Sequence, residues 1–386
     1  MTSPAPDESR RYGWRIGSIA GSPVYIARSW PVIAVVIIAV FGPALGRPDR
    51  SASYGYLVAA GYALLLLVSV LVHEAAHALA ARARGHSVGR IVADVWGGHT
   101  VYDATRSTPG TTAIVAVVGP LSNLVLAAVA WAVEAGVTNE PASTLLIIVA
   151  RANFLVGLFN LLPGLPLDGG QIISALVWRL TGRKGSGLVA AGWLGRIMAA
   201  GTVLWFVGRP LLEGESIAMF EVVWPVAIAF FLWQGATQAI RAGAIHDATA
   251  GPVQDVLEPV VLLPATATLG EVGELAGEAA TGSAWLVATD QAGWPFGLLD
   301  PAAAAAVPAA ARPTTPLVAV VTSQPADWVV PLETDAVLTD LVREMSERNL
   351  PVTVVVDATT RRVRGIATAD RVNPVVGAAL ARRRRS

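Results

Sequence analysis

Six runs of apolar residues, near 31–45, 55–81, 111–135, 143–162, 187–207 and 221–240, fill most of the first two-thirds of the sequence. A helix that crosses a bilayer needs ~20 apolar residues, because lipid offers its backbone no hydrogen-bond partner. Only the first run is short for a span. Hydrophobic residues make up 54% of the 386 positions and charged residues 15%, well under the roughly 25% of ordinary soluble domains. The sequence therefore predicts a polytopic α-helical membrane domain of about six spans. Zero cysteines exclude disulfides and thiolate metal sites, so any metal must be held by His, Asp or Glu. A formal net charge of zero leaves no electrostatic footprint for nucleic acid, and none is expected as a partner. Lys184 is the sole lysine among 28 basic residues, and with the abundant Ala, Gly and Val this suggests a bacterial, GC-rich coding origin.

Inside the second run stands His73-Glu74-Ala75-Ala76-His77, preceded by an almost wholly apolar stretch and followed by Ala78 to Ala81 before Arg82 and Arg84. On a helix, positions i and i+4 share a face, so His73 and His77 can present imidazole nitrogens to one metal ion. Glu74, beside the first of them, can serve as general base toward a metal-bound water. Two imidazoles and a carboxylate are costly in lipid unless something compensates them, which favours a functional site over a polar packing cluster.

Such a site needs a third ligand. The fourth run ends in Asn160-Leu-Leu-Pro163-Gly-Leu-Pro166-Leu-Asp168-Gly169-Gly170, whose prolines and glycines cannot continue a helix. Broken backbone at membrane depth persists only when buried in protein or lining a wet cavity. Asp168 within it completes a two-histidine, one-carboxylate set with a fourth position left for water. The competing role for Asp168 is to cap the helix that resumes at Gly169. In the third run, Gly119-Pro120 and Asn123 read as a close-packing point with a hydrogen bond across helices.

Between the second and third runs, 87–105 reads as strand, Gly97-Gly98 turn, strand, with His99 near the turn. It is either a small surface hairpin or an edge that accepts an extended peptide by strand addition. His86 and His99 read as loop residues. Arg151 and Arg196 fall within predicted spans, lining a cavity or snorkelling.

The basic residues set the orientation. Arg10, Arg11, Arg15 and Arg28 precede the first run; Arg82, Arg84, Arg90 and Arg106 follow the second; Arg179, Arg183 and Lys184 follow the fourth. The opposite side carries Arg47, Arg50 and Arg209. By the positive-inside rule both termini are cytoplasmic in a multi-pass cell-membrane protein. The His-Glu pair then lies roughly 13 Å below the cytoplasmic boundary, at 1.5 Å per helical residue.

Beyond about residue 248 the pattern changes to two stretches on one plan: an acidic-Val-Leu opening, a helix, then strand, turn, strand. The second contains a helix over 338–348 and strands near 351–357 and 365–368. Two units of about sixty residues mark a soluble α/β tandem repeat. An Ala/Pro-rich stretch, 302–316, reads as the linker between them. The expected organisation is a tail at 1–28, a membrane domain at 29–245, repeats at 249–308 and 313–375, and a basic tail at 376–386.

His73-Glu74-x-x-His77, Gly119-Pro120 with Asn123, and Asn160-x-x-Pro163-x-x-Pro166-x-Asp168-Gly169-Gly170 together resemble the site-2 protease family of intramembrane zinc metalloproteases, over roughly 28–240. The long second motif, matched in register, is the specific part. The resemblance implies that His73, His77 and Asp168 bind one zinc ion per chain and that Glu74 activates the attacking water. It implies further that Asn160 orients substrate or the oxyanion. The substrate class it implies is a single-span membrane protein such as a membrane-tethered anti-sigma factor, cleaved within the lipid bilayer.

The two C-terminal repeats resemble cystathionine-β-synthase (CBS) domains, which implies regulation, a homodimer through the pair, and adenine-nucleotide binding at a Gly-x-x-Thr-x-x-Asp signature. Gly365, Thr368 and Asp370 match it with one residue too few between Thr and Asp; Gly297 and Asp300 of the first repeat lack the threonine. The alternative from another class is a CBS-regulated transporter or channel, with His73, His77 and Asp168 as an ion path.

Overall fold

The computed structural model describes residues 12–51, 53–94, 97–104, 107–272, 274 and 284–385, with side chains to residue 377. Arg10, Arg11, Arg106, the first repeat's expected helix and the side chains of Arg382 to Arg385 lie outside these residues. The chain divides into two compact units, 1–243 and 244–386.

The first unit is built on seven described helices: α1 (Trp30–Ala44), α2 (Tyr54–Ala83), α3 (Pro109–Glu134), α4 (Glu140–Asn160), α5 (Asp168–Thr181), α6 (Lys184–Val203) and α7 (Met219–Ala248), the last running a few residues past the division. A π turn and a short helix carry α6 on to Leu212. Five of these, α2, α3, α4, the extended α6 and α7, are long and apolar enough to cross a membrane; α1 is shorter. Local signals set the ends. Thr108 caps α3, its hydroxyl accepting from the Thr111 amide at 3.2 Å with Pro109 opening the helix. Gly182, at φ +71°, closes α5 in the left-handed conformation.

Burial in these helices is inverted relative to a water-soluble protein. Ala59, Ala63, Ala78, Ala81, Ala127, Ala150, Ala191 and Ala236 face inward, while Leu57 and Leu64 are 70% and 62% exposed. Small residues inside let backbones approach, and large apolar ones outside meet lipid, which is as apolar as they are.

A four-stranded sheet packs against α2: β1 (Trp14–Ile19), β2 (Ser22–Ile26), β3 (Val88–Asp94) and β4 (Gly97–Tyr102), in that spatial order. The hairpin expected at 88–103 forms as β3–β4, with Ile91 paired to Thr100. Residues 14–26, read from sequence as part of a tail, are instead its other two strands, β2 lying parallel to β3. Val24, Val88 and Ile91 pack with Ala78, Ala81 and Val115 as one buried cluster. β4 is the outer strand.

The second unit holds two sheets. β5 (Val260–Pro264), β6 (Trp285–Thr289), β7 (Pro295–Leu299) and β8 (Val321–Ser323) form one; β9 (Val329–Leu332), β10 (Val352–Asp357) and β11 (Val363–Thr368) form the other. The helices are α8 (Pro301–Ala306), α9 (Leu338–Glu347) and α10 (Ala369–Arg385).

The repeat boundaries interlock in a way the linear reading does not anticipate. Val253 and Val256, from the opening of the first repeat, sit in the core of the second, and Glu258 bonds Ile366 in both directions. Leu317 and Val320, from the opening of the second, sit in the core of the first, where β8 extends its sheet. The 302–316 stretch is correspondingly no loose linker. It begins as α8, capped by Asp300, whose Oδ1 accepts from the Ala302 and Ala303 amides.

Candidate metal centre

α2, α3 and α5 bring the chemistry together. His73 and His77 sit one turn apart on α2, and their Nε2 atoms approach to 3.0 Å. Asp168, first residue of α5, places Oδ2 3.2 Å from His73 Nε2 and Oδ1 3.5 Å from His77 Nε2. Three donors around one tetrahedral zinc, at bond lengths near 2.05 Å, stand about 3.3 Å apart. The observed spacings bracket that value, and a His/His/carboxylate set is what zinc takes where cysteine is absent. The residues fit the metal.

Outer contacts fix each ligand. His77 Nδ1–H donates to the Val115 carbonyl at 2.7 Å, and His73 Nδ1–H donates to Asn123 Oδ1, so both Nε2 lone pairs point into the site. Asn123 Nδ2 donates to Asn153 Oδ1 at 2.8 Å; Asn153 Nδ2 donates to Ser69 Oγ and to the Val149 carbonyl, each at 2.9 Å. Ser69 donates to the Leu65 carbonyl. Three buried side chains on α2, α3 and α4 thus form a fully satisfied relay behind His73. Asn123, read from sequence as a packing residue, also holds His73. Asn153 and Ser69 were not singled out; the one signal for Asn153 was an amide within an apolar run.

Space for the ligands comes from missing side chains. A Cβ at Gly119 would lie 2.3 Å from His77 Nε2 and 2.7 Å from His73 Nε2. On the Asp168 side, a Cβ at Gly170 would lie 2.2 Å from the Leu165 amide nitrogen. Glycine there lets the 161–167 loop fold against the start of α5, while the Leu165 N–H donates to the Ala191 carbonyl on α6. That explains why the acid is followed by two glycines.

Glu74 belongs to the same His-Glu-His cluster, with donor atoms within 4.8 Å of one another. Its carboxylate is engaged by β4: Thr100 Oγ1 lies 2.8 Å from Oε2 and 3.0 Å from the Glu74 backbone carbonyl. The site opens into a cavity of about 850 Å³, lined among others by Gly98, Thr100, Asn153, Asn160 and Asp168. Asn160, half-buried at the end of α4, reaches this cavity. The arrangement supplies what hydrolysis requires: a metal seat, a carboxylate beside it and room for an acyl substrate.

Other singled-out residues lie elsewhere. His99 turns to Asp94 at 3.3 Å, and that carboxylate holds its imidazole above the ordinary histidine range. His86 bonds the Asp103 carbonyl. Arg196 lies between the Trp193 and Trp233 rings, 4.9 and 5.0 Å from their centroids, and donates to Thr237 Oγ1; Arg151 is exposed. In the second unit Thr368 accepts from the Arg371 amide at the start of α10, and Asp370 is exposed in the first turn of that helix.

Residues 135–204, which carry α4, the Asp168 loop, α5 and all of α6, match the model of Peptidase family M50. Over that stretch the chain is similar to that family. A relative in Synechocystis sp., provisionally named a zinc metalloprotease, is 31% identical over 60% of this chain. The matched span is 61% of that relative's length. Among solved structures, the site-2 protease from Methanocaldococcus jannaschii is similar with a TM-score of 0.43 and 23% identity, covering 60% of this chain and 96% of that one. The CBS domain of a bacterial CNNM/CorC family Mg2+ transporter is similar with a TM-score of 0.27 and 16% identity, covering 42% of this chain and 96% of that one.

Proposed function

We propose that the chain is a zinc-dependent intramembrane metalloendopeptidase that cleaves single-span membrane proteins within their spanning segments. The observation that carries this reading is the convergence of His73, His77 and Asp168 at tetrahedral spacing, with Glu74 beside them, among helices whose outer faces are apolar.

His73, His77 and Asp168 would hold a zinc ion, which would acidify the attacking water and polarise the scissile carbonyl. Glu74 takes the proton of the attacking water and returns it to the departing amine. Asn160, on the cavity wall, donates its amide N–H to the substrate carbonyl or the developing oxyanion. A spanning helix keeps its carbonyls in its own hydrogen bonds, so it must unwind before attack. The outer edge of β4, which borders the cavity, receives the unwound segment by strand addition.

Both termini are cytoplasmic in this reading, so products leave on that side; a membrane-tethered anti-sigma factor is the kind of substrate it fits. The second unit acts as a CBS-type pair that dimerises the protein and modulates activity, with Thr368 and Asp370 as its candidate nucleotide contacts.

The test uses the full chain reconstituted in phosphatidylglycerol/phosphatidylethanolamine vesicles with a library of fluorogenic single-span peptides. Wild type cleaves library members inside the apolar segment. Glu74→Gln keeps its zinc and loses cleavage. Turnover by Glu74→Gln at the wild-type rate, or ion flux in place of cleavage, would sink the reading.

A further inference from the structure

The reaction assigns Glu74 two proton transfers but leaves open what keeps its carboxylate aimed. A glutamate on a helix has three rotatable torsions, and the imidazoles beside it are committed to Asn123, Val115 and the metal seat. Among the described residues, Thr100 supplies the hydrogen-bond donor to that carboxylate. Its own position is fixed by the sheet. Thr100 pairs with Ile91, which is fully buried on β3, while the neighbouring Gly98 pairs with Ala93. The Glu74 backbone carbonyl, 3.0 Å from the same hydroxyl, is the longer, alternative acceptor for its single proton.

Gly98 closes the arrangement from the other side. A Cβ there would lie 2.6 Å from Glu74 Cγ and 3.0 Å from Cδ and Oε1, so the strand backbone lies directly against the carboxylate. One wall is a hydrogen bond and the other is van der Waals contact. Both come from β4, an edge strand that borders the cavity.

We propose that Thr100 is the positioning residue for Glu74, and that β4 holds the general base through the Thr100 hydroxyl and the bare Gly98 backbone. The inference rests on the reading of Glu74 as general base. Thr100 hydrogen-bonds none of His73, His77 and Asp168 among the described contacts; it acts through Glu74. A pin that merely joined β4 to α2 would change stability and leave the ratio of kcat to KM effects alone.

The experiment compares Thr100→Val, which keeps the shape and loses the hydroxyl, with Thr100→Ser, which restores it, and with Gly98→Ala, which pushes the carboxylate from the opposite side. Each is assayed in vesicles on the library peptide that the wild type cleaves best, with zinc per chain measured in parallel. Thr100→Val is expected to keep its zinc and its KM while kcat falls on the order of 10–100-fold, the scale of a misplaced catalytic group. Thr100→Ser recovers most of that kcat, and Gly98→Ala shows the same kcat-selective loss with the hydroxyl intact. Wild-type kcat in Thr100→Val, equal slowness of the Val and Ser variants, or full kcat in Gly98→Ala overturns the proposal. If Thr100→Val does not fold, the Ser and Gly98→Ala results decide. Failure of the protease reading looks different: there the wild type itself cleaves no better than Glu74→Gln.

Discussion

In the helices of the membrane unit the inward positions are mostly alanine, glycine and hydrogen-bonded polar groups, with a few larger residues such as Val58, Leu67 and Leu232, while in the second unit Trp328, Val330, Leu341, Val354 and Ile366 fill the interior. One chain follows opposite burial rules because its two units answer to different solvents. In water, apolar area removed from solvent drives folding, so large side chains go inside. In lipid there is no such drive between helices, and close backbone approach with satisfied polar groups takes its place. The His/His/Asp cluster can exist in the membrane unit for this reason: its helices pack through small residues, and the space they leave is occupied by imidazole and carboxylate.

The contrast predicts that adding a methyl does most damage in one unit and removing methyls does most in the other. Gly119→Ala should have the largest effect. Its Cβ would intrude to 2.3 and 2.7 Å from the two Nε2 atoms, and the backbone of α3 cannot retreat while it packs on α4 across Gly157. Zinc per chain, measured by elemental analysis of the purified protein, should fall to background. Retention of zinc by Gly119→Ala would show that the helix interior yields more easily than this packing implies.

In the second unit, Leu341→Ala is the matching cut. Leu341 is fully buried on α9 within the largest core cluster. Its loss should cost roughly 2–5 kcal/mol, the range for a buried leucine truncated to alanine. Denaturant unfolding followed by the fluorescence of Trp328, in the same cluster, reads it. A cost under about 1 kcal/mol would mean that this unit does not depend on large-residue packing.

The convergence of His73, His77 and Asp168 is largely legible in the sequence. The i, i+4 spacing on an apolar helix fixes His73 and His77 on one face, and Asp168 stands out because only a broken, protein-covered backbone carries an acid at that depth. The outer contacts were not legible. Asn153 meets Ser69 across 84 positions and Asn123 across 30, Thr100 meets Glu74 across 26, and no local period encodes such pairings. The strands at 14–26 escaped for a related reason: five or six residues carry little alternation, and β2 is held by β3, which lies more than sixty positions later. In the second unit both repeats were visible as patterns, but the exchange of their opening segments depends on which core Val253 and Leu317 enter.

A smaller effect tests whether satisfied polar groups substitute for apolar burial inside the membrane unit. Asn153→Ala removes the link between Asn123 and Ser69 and leaves the Asn123 amide without its acceptor. The ligands remain, so the protein should still bind zinc, but with affinity about 10–100-fold weaker, the usual cost of losing an outer-shell partner. Competition with a chelator of known affinity measures it. Unchanged affinity would reduce the relay to helix packing.

The smallest effect is the sharpest check on the solvent argument. Leu64 lies on α2, about two and a half turns before His73, and is 62% exposed among other outward apolar residues. If that face meets lipid, Leu64→Ala exchanges one apolar surface for another in contact with hydrocarbon, and stability in vesicles should move by no more than about 0.5 kcal/mol. The same truncation at Leu341 removes a side chain from a water-excluded core and costs several times more. Comparing the two in one membrane preparation isolates the environment from the chemistry, because the atoms deleted are identical. A large loss at Leu64 would mean that protein rather than lipid covers that face of α2, and the inside-out pattern would then need a partner helix to account for it.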